Sequence, residues 1–251
     1  MTLRKRLSLN TALLASFSAL YAVILKLLPG IPAYGFPGVK IQIAATISPI
    51  YGVILGEVIG PSSILLGTLL AMFLMPSKYT LFSFFTIFCA PLGALVTALT
   101  LDKGTLWKLS KWIYSLAIYL ALLCAWILTD VGRAAIIYTA PYLAVIILIS
   151  LKGIFLDKIA FRRKLPLILL SLFIGAAAGI FADHFLGSLE GIIVFQYLLE
   201  AIEPGALAAI YLAAIPIVLI ERGLMIIVAF IILMNLYLVI RRSSYVKIKL
   251  E

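Results

Sequence analysis

Two pairs of ionisable residues, Asp183-His184 and Glu221-Arg222, stand inside apolar runs of this chain, and a lone carboxylate, Glu57, stands in a third. A charged group at bilayer depth is costly, so its presence marks a paired, solvated or functional side chain. Asp183 is suited to hydrogen-bond a cationic ligand or to set the tautomer of His184; the alternative is an interfacial pair facing water. Neighbouring helical residues point about 100° apart, so Glu221 and Arg222 do not simply neutralise each other. Each needs a partner on another helix or a wet cavity, in a ligand or gating role or as a structural ion pair. Glu57 is expected near the cytoplasmic end of its span, in a structural or coupling role. Asp130 and Arg133, at i and i+3, are expected to pair locally in an outer turn.

No enzyme signature accompanies these groups. His-Glu-x-x-His, Gly-x-Ser-x-Gly and the Walker lysine motif are all absent from the sequence. With His184 as the single histidine, a dyad assembled from distant helices would have to use Asp183, His184 or Glu221. Cys89 and Cys124 have no metal-ligand spacing and no disulfide framework, and are expected to be small buried hydrophobes. The sequence therefore points to no metal site and to no cofactor bound by the chain itself.

The elements that must hold these groups are membrane helices. Of the 251 residues, 65% are hydrophobic and 12% charged, with mean hydropathy +1.22, whereas soluble domains are nearer half apolar and a quarter charged. No long polar stretch interrupts the chain, so residues 1–251 read as one transmembrane domain with the bilayer as its partner. The net charge of +10 has no nucleic-acid footprint. Its basic residues gather in short segments beside apolar runs: Arg4 to Arg6, Lys103 to Lys111, Lys152 to Lys164, and Arg241 to Lys249. That distribution is the positive-inside pattern of cytoplasmic loops.

A span needs about 20 apolar residues. Such runs fall at about 11–28, 41–59, 61–75, 79–101, 112–129, 134–151, 165–187 and 206–240. The first follows a basic N-terminus and is read as a retained helix rather than a cleaved signal. The fold class is an all-α, polytopic helical bundle of six to eight spans, with six if 61–75 is re-entrant and one further run does not span. Eight spans leave both termini cytoplasmic in a cell membrane. The last run is expected to be one tilted helix bent at Pro216, or a short outer helix joined to a spanning one near Glu221-Arg222. The segment 29–40, dense in proline and glycine, is expected to be an outer loop with no helix or strand. Glu190, Glu200 and Glu203 are expected in an acid-rich outer segment. Gly52, Gly56 and Gly60, spaced by four, should share one helix face and let a second helix approach closely.

The opening helix Leu13-Leu-Ala-Ser-Phe-Ser-Ala-Leu-Tyr21, the Pro/Gly-rich loop, the stretch Pro49-Ile-Tyr-Gly-Val-Ile-Leu-Gly-Glu-Val-Ile-Gly60 and the helix containing Ile215-Pro216 and Glu221-Arg222 resemble the substrate-binding S components of energy-coupling factor transporters. The resemblance covers the two ends of the chain. It implies a membrane protein that binds a vitamin or metal ion from outside and delivers it by toppling within a complex of a transmembrane scaffold and two ATPase subunits. ATP would be used by those partners. It further implies that Ala15 and Ala19 dock on the scaffold, that Tyr34, Gly35 and Phe36 form a lid, and that Asp183, His184, Tyr211, Glu221 and Arg222 are candidate substrate contacts. With one histidine and two cysteines expected to be buried, an organic, vitamin-like solute is favoured over a metal. Two rivals stand beside it: a membrane-embedded hydrolase or transferase using Asp183-His184, and a stand-alone secondary transporter with Glu57 or Glu221 as its proton site. Internal inverted repeats would support the latter, and no convincing one is seen.

Overall fold

A computed structural model describes residues 3–36, 39–158 and 165–242. Pro37, Gly38, Arg162, Arg163, Lys164, Lys247 and Lys249 lie outside the described residues. The chain is an all-α multi-pass membrane protein, with seven helical segments among the described residues long and apolar enough to cross a bilayer. Its helices are α1 (Leu3–Leu27), α2 (Ser48–Leu74), α3 (Leu81–Phe85), α4 (Cys89–Leu101), α5 (Lys111–Leu128), α6 (Asp130–Ala134), α7 (Ala140–Leu151), α8 (Leu165–Ile192) and α9 (Pro204–Arg242). A backbone in hydrocarbon must satisfy its own hydrogen bonds, and long helices do so within one segment.

The two spans expected at 41–59 and 61–75 form a single helical run that reverses on itself. Gly56 has φ 79° and ψ −173°, an extended left-handed conformation that essentially only glycine adopts. The limbs 48–55 and 57–74 then lie side by side: a Cβ placed on Gly60 would sit 2.7 Å from the carbonyl oxygen of Tyr51. In a straight helix those residues would be separated by about 13 Å of rise. The single glycine face is thus corrected. Gly56 makes the turn, Gly60 closes it against Tyr51 and Gly52, and Gly52 meets the α4 backbone at Ala94 and Ala98. Because nothing lies within 4 Å of a Cβ at Gly56, Gly56→Ala tests backbone conformation alone. It should cost about 1–3 kcal/mol, read as a lowered Tm in mild detergent.

Glu57, next to the turn, is held by Lys111 at 2.5 Å, and Lys111 also reaches Asp102 at 2.8 Å. This buried lysine ties the tip of the α2 hairpin to the end of α4 and the start of α5. The expected pairing of Arg133 with Asp130 is present.

The centre of the bundle is α8. Its Gly175–Gly179 stretch is buried, and it crosses α4 glycine to glycine: a Cβ on Gly179 would meet the Gly93 carbonyl at 2.6 Å, and one on Gly93 would meet the Gly179 carbonyl at 2.8 Å. Thr97 donates to the Gly175 carbonyl across the same seam at 3.1 Å. Small residues allow such approach where side-chain burial offers little driving force. The helix α9 is unbroken over 39 residues with Pro216 inside it, so no separate short helix precedes it.

Three further expectations are revised. The segment 29–40 carries a β-hairpin, β1 (Gly30–Pro32) paired antiparallel with β2 (Lys40–Gln42). Pro32 is tolerated because it ends its strand, where a missing N–H leaves no gap inside a ladder. Glu190 is not in an outer loop, since α8 continues to Ile192 and then a π-helical turn over Ile193–Leu198. Cys89 is buried, but Cys124 is exposed on the outside of the bundle.

Candidate functional site

At the end of the bundle where β1 and β2 lie, a cavity of about 480 Å³ opens between the hairpin loop and α1, α4, α8 and α9. The basic residues Lys103 and Lys152 gather around Leu101 at the opposite end. A volume of this size suits a small organic ligand.

The cavity's inner wall comes from α8 and α9. Asp183 and Arg222 are 7% and 4% exposed, and Arg222 Nη1 donates to Asp183 Oδ2 at 3.3 Å. Glu221 Oε1 stands 3.8 Å from Arg222 Nη2, beyond hydrogen-bonding distance. Thus Arg222 takes its partner from another helix, as the angular offset of adjacent residues requires, while remaining the nearest cation to Glu221. Three polar atoms here have no hydrogen-bond partner among the described residues: Glu221 Oε1, Arg222 Nε and His184 Nε2. Unsatisfied buried polar atoms are rare enough to need an explanation.

His184 is fixed by its other nitrogen. Nδ1 lies 3.0 Å from Ser188 Oγ, one helical turn along α8. Ser188 Oγ is also 3.0 Å from the His184 carbonyl and 3.0 Å from the Tyr138 hydroxyl. Tyr211 donates to the Ser188 carbonyl at 2.7 Å. Asp183 faces Arg222 and so does not serve as the orienter of its sequence neighbour.

The rest of the wall is aromatic. Phe36, from the hairpin loop, lies 5.7 Å from the Tyr211 ring and 5.1 Å from Phe195, which in turn lies 5.6 Å from Phe82. Behind them Trp126 stacks on Tyr138 at 5.2 Å and meets Tyr211 edge-on at 5.2 Å. Such ring pairs form a rigid wall with polar hydroxyl ends. Tyr79, between α2 and α3, also lines the cavity; burial pushes its phenol above the ordinary value, which keeps it neutral.

The residues nominated from sequence converge on this place. Tyr34, Phe36, Asp183, His184, Tyr211, Glu221 and Arg222 all line the cavity. Tyr34 is half exposed at its mouth. Gly35, with φ 76°, makes the turn beside it and seats the loop on α9, since a side chain there would collide with Ile210. Ala15 and Ala19 are elsewhere, exposed on the outer face of α1. Sequence reasoning missed Tyr138, Ser188, Phe195 and Cys89. Cys89 lines the cavity and donates its thiol to Glu190 Oε2 at 3.0 Å. Tyr138, Phe195 and Cys89 meet their partners only across other segments, whereas Ser188 stands one helical turn from His184, a spacing that could have flagged it. Among the described residues, no group of three or more His, Cys, Asp or Glu side chains is placed to hold a metal ion.

The chain is similar to an uncharacterized protein of Methanocaldococcus jannaschii, 29% identical over 197 residues, an alignment covering 74% of this chain and 57% of that protein. The chain thus matches little more than half the length of that relative. No family model matches the chain, and no solved structure does.

Proposed function

We propose that this chain is the solute-capturing subunit of an ATP-driven importer of the energy-coupling factor type, taking up a small, vitamin-like organic solute. The observation that carries the reading is the cavity of about 480 Å³ roofed by a Pro/Gly-rich hairpin and lined by buried ionisable groups. In this reading Tyr34, Gly35 and Phe36 form the lid over the solute, and the cavity opens to the outside of a cell membrane, with both termini cytoplasmic. The chain has no nucleotide-binding motif, so ATP is used by two ATPase subunits joined through a transmembrane scaffold.

Docking on that scaffold uses α1. Ala15 and Ala19 lie on one helix face and are exposed, and small side chains permit backbone-close contact in lipid. Ala15→Leu and Ala19→Leu should abolish uptake into cells while the purified chain retains solute binding. Binding lost with assembly intact would contradict the docking role.

The hydrolase reading fares less well on geometry. Asp183 is engaged by Arg222 at 3.3 Å, and Ser188 Oγ is engaged by its own helix and by Tyr138. In this proposal the chain performs no chemistry on its solute. Of the two proton sites the secondary-transporter reading offers, Glu57 is held by Lys111, while Glu221 lines the same cavity and is taken here as a solute contact.

A further inference from the structure

The charged groups of the inner wall do not balance. Two carboxylates, Asp183 and Glu221, share one guanidinium, Arg222. A third, Glu190, sits behind the wall and is 9% exposed, with the Cys89 thiol as its hydrogen-bond donor. Among the described residues, the other cation lining the cavity is Lys40, exposed on β2 at the mouth. In formal charges, the deep part of the cavity is therefore at least one positive charge short. An uncompensated buried charge is strongly destabilising, and supplying the missing partner removes that cost.

The unpartnered atoms agree. Glu221 Oε1 is an acceptor without a donor. His184 Nε2 completes a ring whose Nδ1 is occupied by Ser188, so it is free to meet a polar atom of a solute. The same cavity is lined by the aromatic side chains Phe36, Tyr79, Phe82, Phe195 and Tyr211. Aromatic faces attract cations as well as flat rings, by about 0.5–2 kcal/mol for each well-placed contact.

Resting on the solute-capture reading above, we propose that the solute is an organic cation: a flat ring bearing an ammonium or protonated ring nitrogen. The positive group lies against Glu221 and Asp183, and the ring lies among the aromatic side chains beneath the hairpin loop. Arg222 holds the two carboxylates in place and is not the anchor of an anionic ligand.

The test is a charge series on one ring. The purified full chain, in mild detergent, is titrated with benzylammonium, benzyl alcohol or benzoate, and an apparent affinity is read from the rise in Tm with concentration. Benzylammonium should bind at least tenfold more tightly than benzyl alcohol, and benzoate should give no stabilisation. Glu221→Gln should reduce the preference for the cation over the alcohol to less than threefold, while Glu221→Asp should retain it. Benzoate stabilising as well as benzylammonium would overturn the proposal by making Arg222 the anchor. Equal affinity for benzyl alcohol would overturn it by showing that the carboxylates carry their own proton. No stabilisation by any of the three would also overturn it. The series on the unsubstituted chain is decisive even where a variant fails to fold. It uses the isolated chain, so it stands or falls independently of whether ATPase subunits associate.

Discussion

Arg222→Met is expected to destabilise the protein by about 3–5 kcal/mol, the usual consequence of leaving a buried charge without its partner. Arg222 is 4% exposed and Asp183 7%; the guanidinium is the group that neutralises Asp183 across the α8–α9 contact at 3.3 Å. Methionine matches much of the apolar stem, so the loss reports the charge and its hydrogen bond rather than a cavity. The double variant Arg222→Met/Asp183→Asn removes both charges and should recover most of that stability, giving a coupling of more than about 1 kcal/mol in the double-mutant cycle. Additive losses in the two single variants would show that the pair is not a unit. Thermal unfolding in a fixed detergent measures all four proteins.

The second large effect is expected at the α4–α8 seam. Gly179→Leu places a branched side chain where even a Cβ would meet the Gly93 carbonyl at 2.6 Å and crowd the Thr97 hydroxyl. The Gly93 carbonyl is backbone, and the Thr97 hydroxyl is tied to the Gly93 and Gly175 carbonyls, so neither neighbour yields without losing a contact. Gly179→Ala should cost about 1–3 kcal/mol through overpacking, and leucine should prevent recovery of a folded, monodisperse protein. Gly223→Ala is the control. It lies in α9 with nothing within 4 Å of the added Cβ, and should stabilise by up to about 1 kcal/mol through helix propensity. Size-exclusion profiles and Tm values of the three variants separate crowding from a general intolerance of glycine substitution.

Much of the bundle was legible because lipid leaves a chain few options. Runs of about 20 apolar residues must become helices; α5, α8 and α9 begin close to the starts of their apolar runs, whereas α4 begins at Cys89, well inside the run 79–101. The reversal at Gly56 was hidden for a specific reason. Glycines spaced by four describe a smooth packing face as naturally as they describe a turn with two close-packed limbs, and only backbone angles distinguish the two. The glutamate beside it was the available signal: Glu57 ends up next to the turn because that is where Lys111 can reach it.

The candidate site was legible where burial of a charge is costly. Asp183, Glu221 and Arg222 stand out against hydrocarbon, and all three line one cavity. Glu190 was misplaced because it was grouped with Glu200 and Glu203 as an acid-rich segment beyond the span 165–187, whereas α8 continues to Ile192. Its partner Cys89 is 101 residues away, a distance that no local pattern spans. Of the aromatic wall, Phe36 and Tyr211 were nominated, whereas Trp126, Tyr138 and Phe195 were missed for the same reason. Trp126, Tyr138 and Tyr211 come from three different segments and meet only after α5 and α9 have packed against α8.

The most direct test of the central claim is gentle purification of the chain from its native membranes followed by native mass spectrometry. The account predicts a complex containing a transmembrane scaffold and two ATPase subunits, with a small organic solute retained on this chain. A ligand-free assembly of this chain alone, with no ATPase under conditions that preserve other membrane complexes, would contradict it.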